Sequence, residues 1–368
     1  MINILVTEDN RYTIDNYLEN RGSGLVGVLT PITYEELPAL ECLKCNHLIF
    51  SDLDLVSENH KLALRELAEY LSTTDIKVFN QPGTVLDRFH LLRCLFEKGI
   101  NPHNVYRTNE PLDNIKYPVF IRHKDYHKGP ITPLIHNIDE LHRHLLSLRV
   151  TGHSVESIII VEFVNTITNS GFYKKYSALK IGDKIIPRHL GYDKQWNVKA
   201  NGDQSYKLTS EYLSDWTEYV MKFPHEEWVR DVFNHANIDY GRIDYGEKEG
   251  RLIAWEINLN PDYGRGGRRK KVPDPADVQQ LKLEGHKRIF EVFHEMNKNR
   301  VTEIRFPKTA LQEFSYKKSP SPITRIKRIY IRLIMLFPGM KGLLQSVRSL
   351  ILTFLRLCSS LFSRSGYS

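Results

Sequence analysis

The sequence has no Gly-x-x-x-x-Gly-Lys-Ser/Thr loop, so a nucleotide site of that design is excluded. Only four cysteines occur in 368 residues, which argues against the disulfide framework of a small secreted protein. Cys42 and Cys45 form a lone Cys-x-x-Cys with no second pair and no matching histidine cluster. Two small half-buried residues explain it better than half a zinc site. The start, Met-Ile-Asn-Ile-Leu-Val-Thr, lacks the basic residues and long apolar run of a signal peptide, so a cytoplasmic location is expected. No Cys/His or Ser/His/Asp arrangement for nucleophilic catalysis stands out, and there is no internal repeat.

Acidic residues are also missing from one region. From Phe314 to Ser368 there are ten Lys and Arg and no Asp or Glu, while residues 1–313 carry 41 basic against 44 acidic side chains. The overall charge of +7 therefore belongs to the tail. A near-neutral body gives no reason to expect a nucleic-acid partner.

What is present reads as an α/β chain. Ile2–Val6, His47–Phe50 and Ile76–Phe79 are strand-like, and Leu62, Leu64, Leu67, Ala68 and Leu71 recur at helical spacing. Val85, Phe89, Leu92 and Leu95–Phe96 repeat that spacing until Gly99. Strands separated by helices predict a small parallel-sheet lobe over residues 1–104. Residues 105–305 hold more strands: 117–122, 157–164, 176–181 with 184–186, and 238–245 with 251–258. Helices are expected around Leu141–Leu148, Asp215–Phe223 and Glu226–Ala236.

The chemistry concentrates in Asp244 and in Trp255-Glu-Ile-Asn-Leu-Asn-Pro261. Alternation along a strand puts Glu256 and Asn258 on one face. Asp244 joins them if the partnered residue numbers of the hairpin have an even sum, leaving Ile243, Ile253, Trp255 and Ile257 for the opposite face. Hard oxygen donors of this kind suit magnesium, which needs only one or two carboxylates. A second reading stays open, in which Glu256 pairs with Arg265, Arg268 or Arg269. A polyphosphate would need cations presented by strands, and Arg122, Lys124, Lys128, Lys175 and Arg188 all sit at or near strand ends.

In this order the motifs resemble the ATP-grasp superfamily over residues from about 105 to 265, in particular the branch of ribosomal-protein and peptide glutamate ligases. They comprise a Pro-Val-x-x-cation strand, a Glu-Phe-Val hinge, a cationic hairpin, an Asp strand and a final Glu-x-Asn-x-x-Pro. The resemblance implies an N-terminal α/β lobe, then an α+β ATP-grasp domain, with residues 306–368 as linker and tail. It implies that Arg122, Lys175 and Arg188 contact phosphates. The strand at Glu162, Phe163 and Val164 would read adenine, with Glu162 near the nucleotide. Asp244, Glu256 and Asn258 would hold magnesium, and Asn260 would orient the reacting group. The implied activity is ligation of a small-molecule or peptide carboxylate to an amine or thiol, with ATP and Mg2+. A small-molecule kinase and a non-catalytic ATP-binding adaptor are the alternatives. Three departures stand out: Arg122 replaces the usual lysine, Asp125–Pro130 holds one glycine, and Ser177 stands where related ligases often carry arginine.

In the tail, Leu343, Val347, Leu350, Ile351, Phe354, Cys358 and Leu361 fall on one helical stripe, while Arg348 and Arg356 interrupt any charge-free span of membrane length. Residues 323–362 are therefore expected to lie against an anionic membrane surface, each nearby cation contributing ~1 kcal/mol before screening. Packing of the stripe onto the body or a partner chain is the alternative. Co-sedimentation with acidic liposomes should pellet the full chain and not a chain ending at Ser319; equal pelleting would end the membrane idea.

Overall fold

The computed structural model describes residues 1–126, 129–198, 210–263 and 274–306. Strand β1 (Ile2–Val6) lies between β2 (Leu29–Thr33) and, after β3 (Cys42–Cys45), β4 (His47–Phe50), with β5 (Lys77–Phe79) beyond it. The sheet order is β2-β1-β4-β5 and every pairing is parallel. Three of these strands are the expected ones. The fourth, β2, went unread because Pro31 interrupts its apolar pattern; an edge strand tolerates that missing N–H. Helices α1 (Tyr12–Glu19), α2 (Glu58–Ser72) and α3 (Arg88–Glu97) complete this lobe. Ser57 caps α2 and Asp87 caps α3, each accepting from the backbone three residues on.

A three-stranded antiparallel sheet follows, in the order β6-β8-β7: β6 (Val105–Arg107), β7 (Val119–His123) and β8 (Ile158–Glu162). Helix α4 (Ile138–Val150) covers one face, where Ile121, Ile158 and Ile160 meet Leu141 and Leu145. The alternate residues Phe120, Ile159 and Val161 fall to the other face with Phe89 and Leu92 of α3.

The third sheet runs β10-β9-β11-β12, antiparallel throughout: β9 (Tyr173–Ile181), β10 (Lys184–Asp193), β11 (Tyr240–Lys248) and β12 (Arg251–Asn258). Helices α5 (Ser210–Met221) and α6 (Glu226–Ala236) pack on one face against Ala178, Ile243, Tyr245 and Ile257. The chain then forms α7 (Ala276–Met296) and β13 (Thr302–Arg305), which pairs with β3. This pairing was not expected from the sequence. It places Cys42 exposed and Cys45 buried on alternate sides of β3, both free. No helix among the described residues is long and apolar enough to cross a membrane. The tail stripe at 323–362 and the linker beyond residue 306 lie outside the described residues.

One buried side chain fixes the first sheet against the third. Asn80, at the end of β5 with φ +57°, donates to the Phe50 and Tyr240 carbonyls (3.0 and 2.7 Å) and accepts from the Asp239 and Tyr240 amides (2.9 Å each). Asn80→Ala leaves four backbone groups unpaired, three of them buried, and keeps the left-handed backbone. It should cost ~3 kcal/mol or more in denaturant unfolding, and a loss below ~1 kcal/mol would contradict this role.

Candidate functional site

The second and third sheets face each other across a cleft of about 1150 Å3, closed at one end by the C-terminal edge of the parallel sheet. Its central feature is the hairpin β11–β12. The turn residues Glu249 and Gly250 have φ of +51° and +78°, as a two-residue primed turn requires. That turn pairs Lys248 with Arg251 and would by itself set an odd register, with Asp244 out of line with Glu256. A bulge at Trp255 corrects it: Tyr245 pairs with Ala254, but Asp244 pairs directly with Glu256 and Arg242 with Asn258. Asp244 also pairs with Ser177 of β9, so Ser177, Asp244 and Glu256 form one row across three strands.

The expected side chains therefore do share a face, by a route the sequence did not reveal. Ile243 and Ile257 fill the opposite face as expected, whereas Trp255 lines the cleft and packs over Gly246. Ile253, paired with Gly246, lies on the Asp244 side as well.

Charges on this face are matched one against another. Asp244 Oδ2 lies 3.3 Å from Lys175 Nζ, and its Oδ1 accepts from Arg242 Nε at 3.0 Å. Asp244 raises the Arg242 pKa above its ordinary value. Glu256 Oε2 accepts from Arg122 Nη2 at 2.5 Å and from Arg88 Nη2 at 2.8 Å. Burial, and then Arg122 alongside, lower the Arg88 pKa. Arg88 Nη1 also donates to the carbonyls of His123, Lys124 and Tyr126, holding the segment that follows β7. The partners considered from sequence, Arg265, Arg268 and Arg269, lie outside the described residues. Asn258 Oδ1 accepts from the Asn260 amide at 2.8 Å.

Of the site residues expected from sequence, Arg122, Glu162, Phe163, Val164, Lys175, Asp244, Glu256, Asn258 and Asn260 line the cleft. Two others do not join them. Lys124 turns to Asp125 and lines a separate, smaller groove with Asp87 and Arg107. Arg188 falls at a bulge in β10, so it is carried off the strand's alternation, and its Nη2 donates to the Tyr263 carbonyl at 3.0 Å. Burial brings its pKa down to about 10. Lys128 lies outside the described residues, as does the run Arg265–Lys271.

Glu162 lines the cleft with its carboxylate already engaged. Its carboxylate accepts from the Asn104 and Lys116 amides (2.8 Å each) and from the Tyr106 hydroxyl (3.1 Å), so it braces the strand. Asn260 is engaged at both ends of its amide: Thr13 Oγ1 donates to it at 2.7 Å, and it donates to Asp52 Oδ2 at 3.0 Å.

Among the cleft residues that sequence reasoning missed, five bear on the chemistry. Arg242 could have been found, because it sits two positions before Asp244 on the same strand face. Trp196 packs against Phe120 and Phe163 with ring centroids 5.1 and 5.4 Å away, and Trp255 faces the same cleft. His103 lines the cleft between α3 and β6. Asp52 follows β4 with φ +53° and accepts from the Thr7 amide and hydroxyl (2.9 Å each) and from Asn10 Nδ2 (3.0 Å).

Two carboxylates and an amide on one strand face give an all-oxygen donor set that fits a hard divalent cation. The described residues contain no group of three His, Cys, Asp or Glu side chains suited to a metal, and a magnesium site of this kind does not require one. The two antiparallel sheets, the segment after β8 and the carboxylate hairpin meet around one cleft, in the order the motifs have in the sequence.

Comparisons with known proteins stand beside this geometry. No family model and no curated relative matches the sequence. Among solved structures, the chain is similar to a D-alanine–D-alanine ligase from Bacillus anthracis complexed with ATP (15 % identity, 79 % of this chain and 98 % of that one, TM-score 0.42). It is also similar to the VanG D-Ala:D-Ser ligase from Enterococcus faecalis (12 %, 80 % and 98 %, 0.47). A RimK domain protein ATP-grasp from Sphaerobacter thermophilus matches at 14 % identity, over 78 % of this chain and 100 % of that one, with TM-score 0.40.

Burial pushes the Asp52 pKa up to about 6 despite its hydrogen bonds. A folded value above the unfolded 3.8 means its contribution to stability is complete below pH 3.8 and is lost as pH rises through 6. Carboxylate-carbon NMR should place its midpoint near pH 6; a midpoint below 4 would contradict this environment.

Proposed function

We propose that the chain is an ATP- and magnesium-dependent ligase that joins a carboxylate to an amine or thiol through an acyl phosphate. The observation that carries this reading is the register of Asp244, Glu256 and Asn258 on one hairpin face. Arg122, Lys175 and Arg242 lie around that face in the same cleft.

The apolar end near Phe120, Phe163 and Trp196 takes the base, and the hairpin end takes the phosphates. Magnesium would be held by Asp244, Glu256 and Asn258, and when bound it would help to neutralise the phosphate oxygens. Arg122, Lys175 and Arg242 act on the same charge. A carboxylate oxygen of the acid attacks the γ-phosphorus, the bond to the bridging oxygen breaks, and ADP leaves. The acceptor then attacks the acyl carbon, the carbon–oxygen bond to phosphate breaks, and phosphate leaves with the acceptor's proton lost to solvent. Positioning and charge stabilisation perform this chemistry without a protein nucleophile. Asn260, tied to Asp52 and Thr13, keeps the parallel sheet's edge against the hairpin end.

The residues also imply which substitution tests the site cleanly. Glu256→Gln would strip charge from two buried guanidiniums and cost stability as well as activity. Asp244→Asn is the better probe: with the right acid supplied it should lower ADP release about a hundredfold or more. Products should be ADP and phosphate, and hydroxylamine should trap the activated acid as a hydroxamate. AMP among the products would defeat the assignment. A phosphorylated product that survives added amines would support a kinase of the same fold instead.

A further inference from the structure

We propose that His103 reads the edge of the nucleobase, a role that rests on the nucleotide-binding reading above. His103 lies on the short segment between α3 and β6, is 3 % exposed, and lines the cleft. Two neighbours hold it there. Asn101 exchanges two hydrogen bonds with the backbone of Ala254 on β12, at 2.9 and 3.0 Å. Asn104 exchanges two with Glu162 on β8: its carbonyl accepts from the Glu162 amide at 3.1 Å and its amide donates to Oε2 at 2.8 Å. The segment is thus stitched to the second and third sheets, with His103 between the stitches. Phe120, Val161 and Trp255 line the same cleft.

The ring's chemistry points to a ligand. Its Nδ1 is buried and has no hydrogen-bond partner. Buried His47 meets that need within the protein, its Nδ1 lying 2.9 Å from Asn46 Oδ1, and the half-buried His225 does so with Nδ1 3.1 Å from the Tyr245 hydroxyl. His286 also lacks an Nδ1 partner, but it does not line the cleft. Burial brings the His103 pKa down to about 4, so the ring is neutral near pH 7. A neutral imidazole offers one N–H donor and one lone pair, and a half-turn of the ring exchanges which edge is presented. That combination complements a purine edge, where ring-nitrogen acceptors stand beside an exocyclic amino donor. It does not complement phosphate, which the cations across the cleft serve. Neither a satisfied core histidine nor a phosphate ligand would show this pairing of an unmet nitrogen with a neutral ring on the wall of a cleft.

The test is calorimetric titration of the full chain, with magnesium present, using ATP, ITP and inorganic tripolyphosphate. ITP carries an oxo group where ATP carries the amino group, and tripolyphosphate has no base. In His103→Phe, ATP affinity should fall about tenfold, which is about 1.4 kcal/mol, and the preference for ATP over ITP should disappear. Tripolyphosphate binding should stay unchanged. His103→Gln, which keeps a donor and an acceptor, should recover part of the ATP affinity and guards against a folding defect in the first variant. Unchanged ATP affinity in His103→Phe would overturn the proposal, as would equal losses for ATP and tripolyphosphate. A wild-type chain that binds tripolyphosphate but not ATP would overturn it too. A wild-type chain that binds none of the three would overturn the nucleotide reading on which it rests.

Discussion

A single carboxylate shared by two buried guanidiniums sets the geometry of the cleft. Glu256 sits on β12 of the third sheet, Arg122 at the end of β7 in the second, and Arg88 at the start of α3 in the first lobe. One oxygen therefore ties three parts of the chain. With Arg88 and Arg122 almost fully buried, removing the carboxylate would leave two uncompensated charges, a loss of ~3–5 kcal/mol for a pair of this kind.

A second tie closes the other end. Asp52 accepts from Thr7, Asn10 and Asn260, and Asn260 accepts from Thr13. All but Asn260 follow β1 or β4, at the carboxyl edge of a parallel sheet, where open α/β sheets leave room for ligands. The bulge at Trp255 and the bond network at Asn260 together decide where the Asp244 face stands relative to that edge.

Local pattern revealed the strands and helices whose apolar residues keep one period, such as β1, β8 and α2. A candidate site was legible where charge interrupted such a pattern, as at Asp244 and Glu256. What remained hidden depends on partners distant in sequence. Strand β13 needs β3 for its pairing, and Arg88 looks like one more polar position on an amphipathic helix until Glu256 is seen beside it. Arg188 shows the opposite failure: its place at a strand end suggested a phosphate contact, but a bulge turns it to Tyr263. Bulges shift side chains between faces without a signature that one sequence displays, so the alignment of Asp244 with Glu256, the misplacing of Trp255 and the miss at Arg188 have the same origin.

The central claim is that the hairpin face and its cations together bind a magnesium–nucleotide complex. Its most direct measurement is the equilibrium affinity for ATP with magnesium and with chelator, in the wild-type chain and in Asp244→Asn. The account predicts that magnesium tightens ATP binding about tenfold or more in the wild type, and that Asp244→Asn removes most of this gain while its thermal unfolding stays near that of the wild type. Affinity that is the same with and without magnesium, in a wild-type chain that binds ATP, would contradict it.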